Sequence, residues 1–390
     1  MITVDEALDH LFSLVSPLDT ETVPLAEASG RVLAQDALAT RDQPPFAASA
    51  MDGYAMCGAA VRPGAEFTVI GESAAGHGFD GALGQGEALR IFTGAPLPEG
   101  ADRVVMQEDV TRNGDRITIA ETLGTGHHVR AAGADFKTGD RVPAPRRLGP
   151  ADLALLASMN LPRLVVRRKP RVALISTGDE LVMPGETPGP DQIIASNTFG
   201  LKAMLDGLGA EARILPIARD TRSSLETAFG LAEGADLVIT IGGASVGDHD
   251  IVGAVAAGLG MEQAFYKVRM RPGKPLMAGR MGQAAMVGLP GNPVSALVCG
   301  HVFIAPMIRA MLGLGAQPAP RRSARLAHDL PQAGPREHYM RADVSDGRIT
   351  PGPVQDSALL SVLANANALM IRPADDPPRR AGDVIDYLPL

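Results

Sequence analysis

Between Asp179 and Asp250 the chain collects an unusual number of groups that handle anions. Gly242-Gly-Ala-Ser-Val-Gly-Asp-His-Asp250 offers backbone amides beside glycines and the Ser245 hydroxyl. Lys267-Val-Arg-Met-Arg-Pro-Gly-Lys-Pro275 adds the cations Lys267, Arg271 and Lys274, and Asp179, Glu180, Asp220, Asp248 and Asp250 supply carboxylates. Cations with backbone donors suit phosphate or another oxyanion. Carboxylates repel an anion, so their presence makes sense if a divalent cation such as Mg²⁺ bridges them to phosphate oxygens. The pattern points to a phosphate-bearing ligand with a metal, hence phosphoryl or nucleotidyl chemistry. An acid at a strand end can equally cap the following helix, and for Asp179 and Asp220 the two readings are balanced. A Walker loop and a dinucleotide fingerprint are both absent. Ser245 sits in a Gly-x-Ser-x-Gly match at 243–247, but no Asp/His order around it supports a hydrolytic nucleophile.

These groups need rigid elements to hold them. Asp236-Leu-Val-Ile-Thr-Ile241, Ala285-Met-Val-Gly-Leu289, Arg171-Val-Ala-Leu-Ile-Ser176 and Arg213-Ile-Leu-Pro-Ile217 read as strands. Asn197 is expected to cap a helix with Leu201, Met204, Leu205 and Leu208 on its apolar face, ended by Gly209. A second helix carries Leu225, Ala228, Phe229 and Ala232 and stops at Gly234. Alternation of this kind means a parallel sheet with right-handed crossovers, whose ligands bind at the carboxyl ends of the strands. Pro290-Gly-Asn-Pro-Val-Ser295 follows one strand and opens a strongly apolar helix from Val294 to Leu314. Thr3-Val-Asp-Glu6 is a capping box for an N-terminal packing helix. From Arg41 to about Ile119, short strand-like runs separated by Gly and Pro indicate a small β unit, and the tail after Ala316 reads the same way. Three loops in the first β region, Gln43–Ala55, Arg90–Gly100 and Arg130–Asp135, each set a hydroxyl or carboxylate beside Gly or Pro, as ordinary turns also do.

A length of 390 residues suggests two or three domains, and 45% hydrophobic residues can fill their cores. Lys+Arg 36 against Asp+Glu 44 gives −8, which argues against a nucleic-acid or anionic-membrane partner. Cys57 and Cys299 lie far apart, so neither a disulfide framework nor a zinc ribbon is expected. No signal peptide is evident, and no uncharged apolar run reaches the roughly 18 residues of a membrane span. A cytoplasmic protein is the expectation.

Taken together the motifs resemble the molybdopterin molybdenumtransferase family, the molybdenum insertases (MoeA) that include the E domain of gephyrin. The residues that carry the resemblance are Ser49–Ala55, Thr93–Pro96, Gly133–Asp135, Ser176–Leu181, Gly242–Asp248, Arg271–Pro275 and Gly288–Ser295, in the family's order. The resemblance implies a multidomain α/β plus β fold: a connecting domain (1–40 plus 138–168), an inserted β domain (41–137), an α/β molybdopterin-binding domain (169–315) and a C-terminal β barrel (316–390). It implies a homodimer with shared active sites, and insertion of molybdate into adenylylated molybdopterin with Mg²⁺-assisted release of AMP. Asp52, Thr93, Asp135, Glu180, Asp220 and Asp250 match catalytic positions, with Asp220 and Asp250 near the metal. Gly242, Gly243, Ser245, Lys267, Arg271, Lys274, Asn292 and Ser295 match the ligand-binding side, Pro290 and Pro293 its shaping turn, and Arg341 and Ser361 candidates for holding molybdate. The molybdopterin adenylyltransferase and acceptor molybdoenzymes or their chaperones are the implied protein partners. Two departures stand out: Arg271 replaces a usual lysine, putting a planar fork where a point charge would be, and Thr221 follows Asp220 where a second acid is common. The alternatives are a molybdopterin adenylyltransferase, whose fold the α/β unit resembles, and a non-catalytic molybdopterin-binding scaffold.

Overall fold

A computed structural model of the protein describes residues 1–243 and 251–390. Its central sheet has six strands, in the order Glu211–Ile214, Arg171–Ser176, Leu237–Ile241, Ala284–Leu289, Met277–Met281 and Glu262–Tyr266. The first four are parallel, and the last two turn antiparallel. That change of sense refines the expectation of a parallel sheet. Only Gly282 and Gln283 join Met277–Met281 to Ala284–Leu289, too few residues for a crossover and enough for a hairpin. All five residues of the middle strand Leu237–Ile241 are buried, as a strand covered on both faces requires.

The side chains alternate between two cores. Leu174 and Ile239 face the helix Asn197–Leu208, the N-terminal helix Val4–Ser13 and the long helix that follows Asn292. Ala173, Ile175 and Val238 face Arg222–Leu231 and Ile251–Gly258. The long helix runs through Pro293–Cys299, a π turn at Gly300–Ile304 and Ala305–Met311. Pro306 has no N–H to return to the preceding turn, which accounts for the local widening. By length and composition this helix could cross a membrane, but most of it is buried in the core.

The capping box forms, with the Thr3 N–H donating to Glu6 at 2.7 Å and the Glu6 N–H to the Thr3 hydroxyl at 3.2 Å. One other expectation was placed one residue off. Ser196, not Asn197, is the N-cap residue of its helix, and the Asn197 amide instead donates to the Gly291 carbonyl at 2.7 Å. Thr221, noted above for standing where an acid is common, caps the helix Arg222–Leu231 through its hydroxyl. In sequence between the N-terminal helix and the central sheet, strands Thr20–Pro24, Arg163–Arg167, Val32–Leu33 and Arg146–Arg147 make one small sheet, and a six-stranded sheet spans residues 53–119. The bidentate pair from Arg168 to Asp236, both bonds 2.8 Å, ties the end of the first sheet to the start of the middle strand.

Five tail strands, Arg322–Leu326, Glu337–Ser345, Arg348–Pro351, Ala368–Arg372 and Val384–Pro389, close into a barrel, because Glu337–Ser345 pairs with both Arg348–Pro351 and Ala368–Arg372. A sixth, Met270–Arg271, comes from the cationic loop and pairs in parallel with Glu337–His338. At the barrel's end Asp376 is 4% exposed and accepts from Arg372 at 2.5 Å and Arg379 at 2.6 Å. Burial would raise its carboxyl, but the Arg379 and Arg372 bonds outweigh that and hold it below the ordinary carboxylate range. Asp376→Ala strands a buried guanidinium and is expected to lower unfolding free energy by about 3–5 kcal/mol in urea titration. Because the folded carboxyl is depressed, this contribution is present above its ordinary value near about 3.9 and is lost as pH falls through the lower folded value.

Candidate active site

The carboxyl ends of the parallel strands open into a cleft of about 600 Å³. Ser176, Thr177, Glu180, Asp220, Gly242, Gly243, Pro290, Asn292 and Pro293 line it, together with Ile193, Ile194 and Asn197. Arg219 shapes one wall: its guanidinium donates to the carbonyls of Asp179 and Leu181 at 2.9 and 3.0 Å, pinning the turn that presents Glu180. The Asp220 N–H donates to the Asp179 carboxylate at 3.2 Å, so the two acid-bearing strand ends are tied together. At the floor, Gly243 has φ +64, and a Cβ there would lie 2.2 Å from Val252 Cγ2 and 3.1 Å from the Thr177 hydroxyl. Only glycine lets the chain pass that close. The Thr177 hydroxyl is buried and has no partner among the described residues, a donor left for whatever fills the cleft.

Beside it lies a second cleft of about 540 Å³, lined by Arg271, Lys274, Ser295, Arg336, Gln355, Asp356 and Ser357. Pro275 and Asn292 belong to both walls, and the Asn292 amide donates to the Ser357 hydroxyl at 3.1 Å across the boundary. The Arg271–Lys274 loop is held tightly: Gly273 has φ +107, and a Cβ there would lie 2.5 Å from the Sγ of the buried Cys299. Beneath the cleft, Arg341 is 1% exposed. It donates to the Asp356 carbonyl at 2.9 Å, while its Nε and Nη1 have no partner among the described residues. Burial and the neighbouring Arg271 lower its pKa, with Asp356 opposing. The Nε2 of His338 is likewise unpartnered, and burial with Arg271, Arg341, Arg336 and Arg372 pushes this imidazole down to about 4. Burying a cation is costly, and a cleft with this much positive charge over one suits an anion.

The residues expected from the sequence fall into separate groups. Glu180, Asp220, Gly242, Gly243, Pro290, Asn292 and Pro293 meet at the first cleft, and Arg271, Lys274, Asn292 and Ser295 at the second, with Arg341 below it. Lys267 lines neither; its ammonium sits 4.8 Å from the centre of the Tyr266 ring. Ser361 is exposed in the short helix Leu360–Ala364, and Ser357 occupies the cleft wall. Ser245, Asp248 and Asp250 lie outside the described residues. Asp52, Thr93 and Asp135 line neither cleft and sit on exposed loops of the inserted sheet. There the Thr93 N–H and hydroxyl both donate to Asp52 Oδ1, at 2.7 and 2.8 Å, holding that carboxyl below its ordinary range. Arg336, Gln355 and Ser357 escaped sequence reading, because their relevance depends on the barrel docking against the cationic loop.

Among the described residues no three His, Cys, Asp or Glu side chains group closely enough to hold a metal. Magnesium is commonly held by one or two carboxylates plus substrate phosphate oxygens. Glu180 and Asp220, both in the first cleft, offer two carboxylates of the kind such an ion uses.

Known proteins bear on this arrangement along the whole chain. Residues 2–160 match the model "MoeA N-terminal region (domain I and II)", 173–310 the "Probable molybdopterin binding domain", and 323–390 the "MoeA C-terminal region (domain IV)". The chain is 38% identical to the molybdopterin molybdenumtransferase of Nostoc sp., over 96% of this chain and 90% of that one. It is 36% identical to the protein of the same name from Haemophilus influenzae, over 100% and 99%. The crystal structure of the molybdopterin biosynthesis moeA protein from Pyrococcus horikoshii OT3 superposes with a TM-score of 0.85 at 28% identity, covering 100% of both chains.

Arg341→Met removes a buried, underpartnered charge at similar volume, so the thermal midpoint is expected to hold or rise. Affinity for a tetrahedral dianion such as tungstate, measured by calorimetry, is expected to fall at least about tenfold, or about 1.4 kcal/mol. Unchanged affinity would remove Arg341 from the anion site.

Proposed function

The chain belongs to the molybdopterin molybdenumtransferase (MoeA) family, and we propose on that premise that its two clefts hold the two substrates of one insertion reaction. The protein inserts molybdate into adenylylated molybdopterin, releasing AMP and forming molybdenum cofactor. The observation that carries the assignment of the clefts is their shared wall at Pro275 and Asn292: an acid-lined cleft beside glycines abuts an arginine-lined one. The first suits the pyrophosphate of the adenylylated pterin, with the Thr177 hydroxyl and the Gly242–Gly243 backbone toward the phosphate oxygens. The second suits molybdate, whose two negative charges answer Arg271, Lys274 and the buried Arg341.

Glu180 and Asp220 would hold Mg²⁺ against the phosphates, where the ion supplies neutralisation of the charge that grows as the pyrophosphate bond breaks. Arg219 pins the turn that carries Glu180, and the walls of both clefts orient the dithiolene end of the pterin toward the oxyanion. An adenylyltransferase would need the first cleft only, and the basic second cleft has no part in that chemistry. A scaffold would have no use for the retained acids.

Asp52, Thr93 and Asp135 enter this scheme through a homodimer in which the inserted β unit of one protomer reaches the clefts of its partner. The exposed Asp52–Thr93 pair, absent from both clefts of its own chain, supports that reading. The same reading has the protein work in the cytoplasm alongside a molybdopterin adenylyltransferase and acceptor molybdoenzymes or their chaperones, and the free thiols of Cys57 and Cys299 are compatible with a reducing compartment.

Release of AMP from adenylylated molybdopterin is expected to need both Mg²⁺ and molybdate and to yield active cofactor. Formation of the adenylylated pterin from ATP by this chain alone, with pyrophosphate as the leaving group, would instead favour the adenylyltransferase. Glu180→Gln and Asp220→Asn should each slow release about a hundredfold while the fold survives, the loss typical of removing one positioned electrostatic group at a reacting centre. Equimolar mixing and reassociation of the Asp52→Asn and Asp220→Asn proteins should recover roughly a quarter of wild-type activity, since half the dimers then hold one intact site. No recovery would place both residues in the same protomer's site.

A further inference from the structure

The clamp that holds Asp52 occurs a second time, where the chain enters and leaves the inserted β unit. Oδ1 of Asp42 accepts the Thr138 N–H at 2.7 Å and the Thr138 hydroxyl at 2.8 Å. The Asp52–Thr93 distances are the same, 2.7 and 2.8 Å, also on Oδ1. Partners 96 residues apart in one case and 41 in the other show that neither is a local turn. The loop that carries Asp135 lies directly inside the second clamp. The Gln43 N–H donates to the Phe136 carbonyl and the Asp135 N–H to the Gln43 carbonyl, each at 2.9 Å, and the Gly133 N–H to the Pro44 carbonyl at 2.8 Å. Phe136 is buried and anchors the same loop in the core below. Residues 42–44 thus carry the 133–138 loop, and Asp42 contributes the side chain that fixes its far end. Its carboxyl is held below the ordinary range first by the Thr138 N–H and then by the hydroxyl, the same causes that act on Asp52.

We propose that Asp42 and Thr138 are positioning residues that set the Asp135 carboxylate for the insertion reaction, as Thr93 sets Asp52. This rests on the reading of Asp135 as a group that acts at the reacting centre. Charge-assisted bonds from both an amide and a hydroxyl leave the loop little freedom to move, and a displacement of about 1 Å at a reacting group can cost about a hundredfold in rate.

The test uses the full chain and follows AMP release from adenylylated molybdopterin with Mg²⁺ and molybdate. Thr138→Val removes one hydroxyl and should lower kcat about tenfold, with KM for the adenylylated pterin and the thermal midpoint unchanged, because the pterin cleft is elsewhere. Thr138→Ser should restore the rate. Asp42→Ala should lose more, about a hundredfold, and the Thr138→Val/Asp135→Asn double variant should be no slower than Asp135→Asn alone. Full kcat in Thr138→Val and Asp42→Ala, with Asp135→Asn inactive, overturns the positioning role and leaves the site reading intact. Full activity in Asp135→Asn overturns the site reading itself. A Thr138→Val loss that follows a fall in thermal midpoint and is not restored by serine makes the clamp purely structural and also overturns the proposal. If Asp42→Ala fails to fold, the two Thr138 variants decide alone.

Discussion

Two residues of backbone pairing hold the site together. Met270–Arg271 leaves the edge of the α/β sheet and joins the barrel as a strand beside Glu337–His338. This short ladder locks the cationic loop against the barrel, and Gly273 packs on Cys299 beneath it. The second cleft exists only between these two parts, with Arg271 and Lys274 from one and Arg336, Gln355 and Ser357 from the other. The N-terminal segment reinforces the same point, since Ile2 exchanges backbone bonds with Lys267 and Arg269. Held at both ends, the loop presents Arg271 and Lys274 at fixed positions in the cleft wall.

That charge is arranged against the sign of the whole protein. The chain carries −8, yet one cleft concentrates Arg271, Arg336 and Lys274 over the buried Arg341. Burial first, and then the neighbouring arginines, depress the imidazole of His338. Next to it the carboxylates Glu180 and Asp220 face the glycine turn. Pro275 and Asn292 stand between the two groups, as the wall both clefts share. Ion pairing is used instead where rigidity matters, at Arg168–Asp236 and in the Arg372–Asp376–Arg379 cluster.

The inserted β unit solves a different problem, which is holding exposed carboxylates on loops. Asp52 and Asp42 each do so by taking both donors of one threonine. Arg90 adds to the first clamp, stacked between Tyr54 and Phe92 at 5.2 and 4.6 Å while it donates to the Gly53 carbonyl. Loops bearing acids beside glycine read as ordinary turns until these long-range partners are known.

Much was legible in the sequence where the signal is local. The capping box at Thr3, the stop at Gly209 with φ +95, the buried strand ending at Ile241 and the glycine and Pro-Gly-Asn-Pro turns all depend on neighbours a few residues away. Motif order along the chain was enough to indicate the family. Position in space was not. Lys267 looked equal to Arg271 and Lys274, but a left-handed backbone at φ +71 accompanies a side chain that lies on Tyr266. Ser361 was the tail serine the resemblance pointed to, and Ser357, four residues earlier, lines the cleft. Asn197 had the right chemistry for a cap and was taken up by the Gly291 carbonyl. Arg336 and the Asp42–Thr138 clamp carried no signal at all. Propensity, capping and turn formation act over a few residues, so the elements, the family and the kinds of chemistry present could be read along the chain. Which cations share a cleft, which acids face them and which buried charge is left without a partner were decided only by tertiary structure, because contacts between distant segments depend on how the sheets and barrel pack.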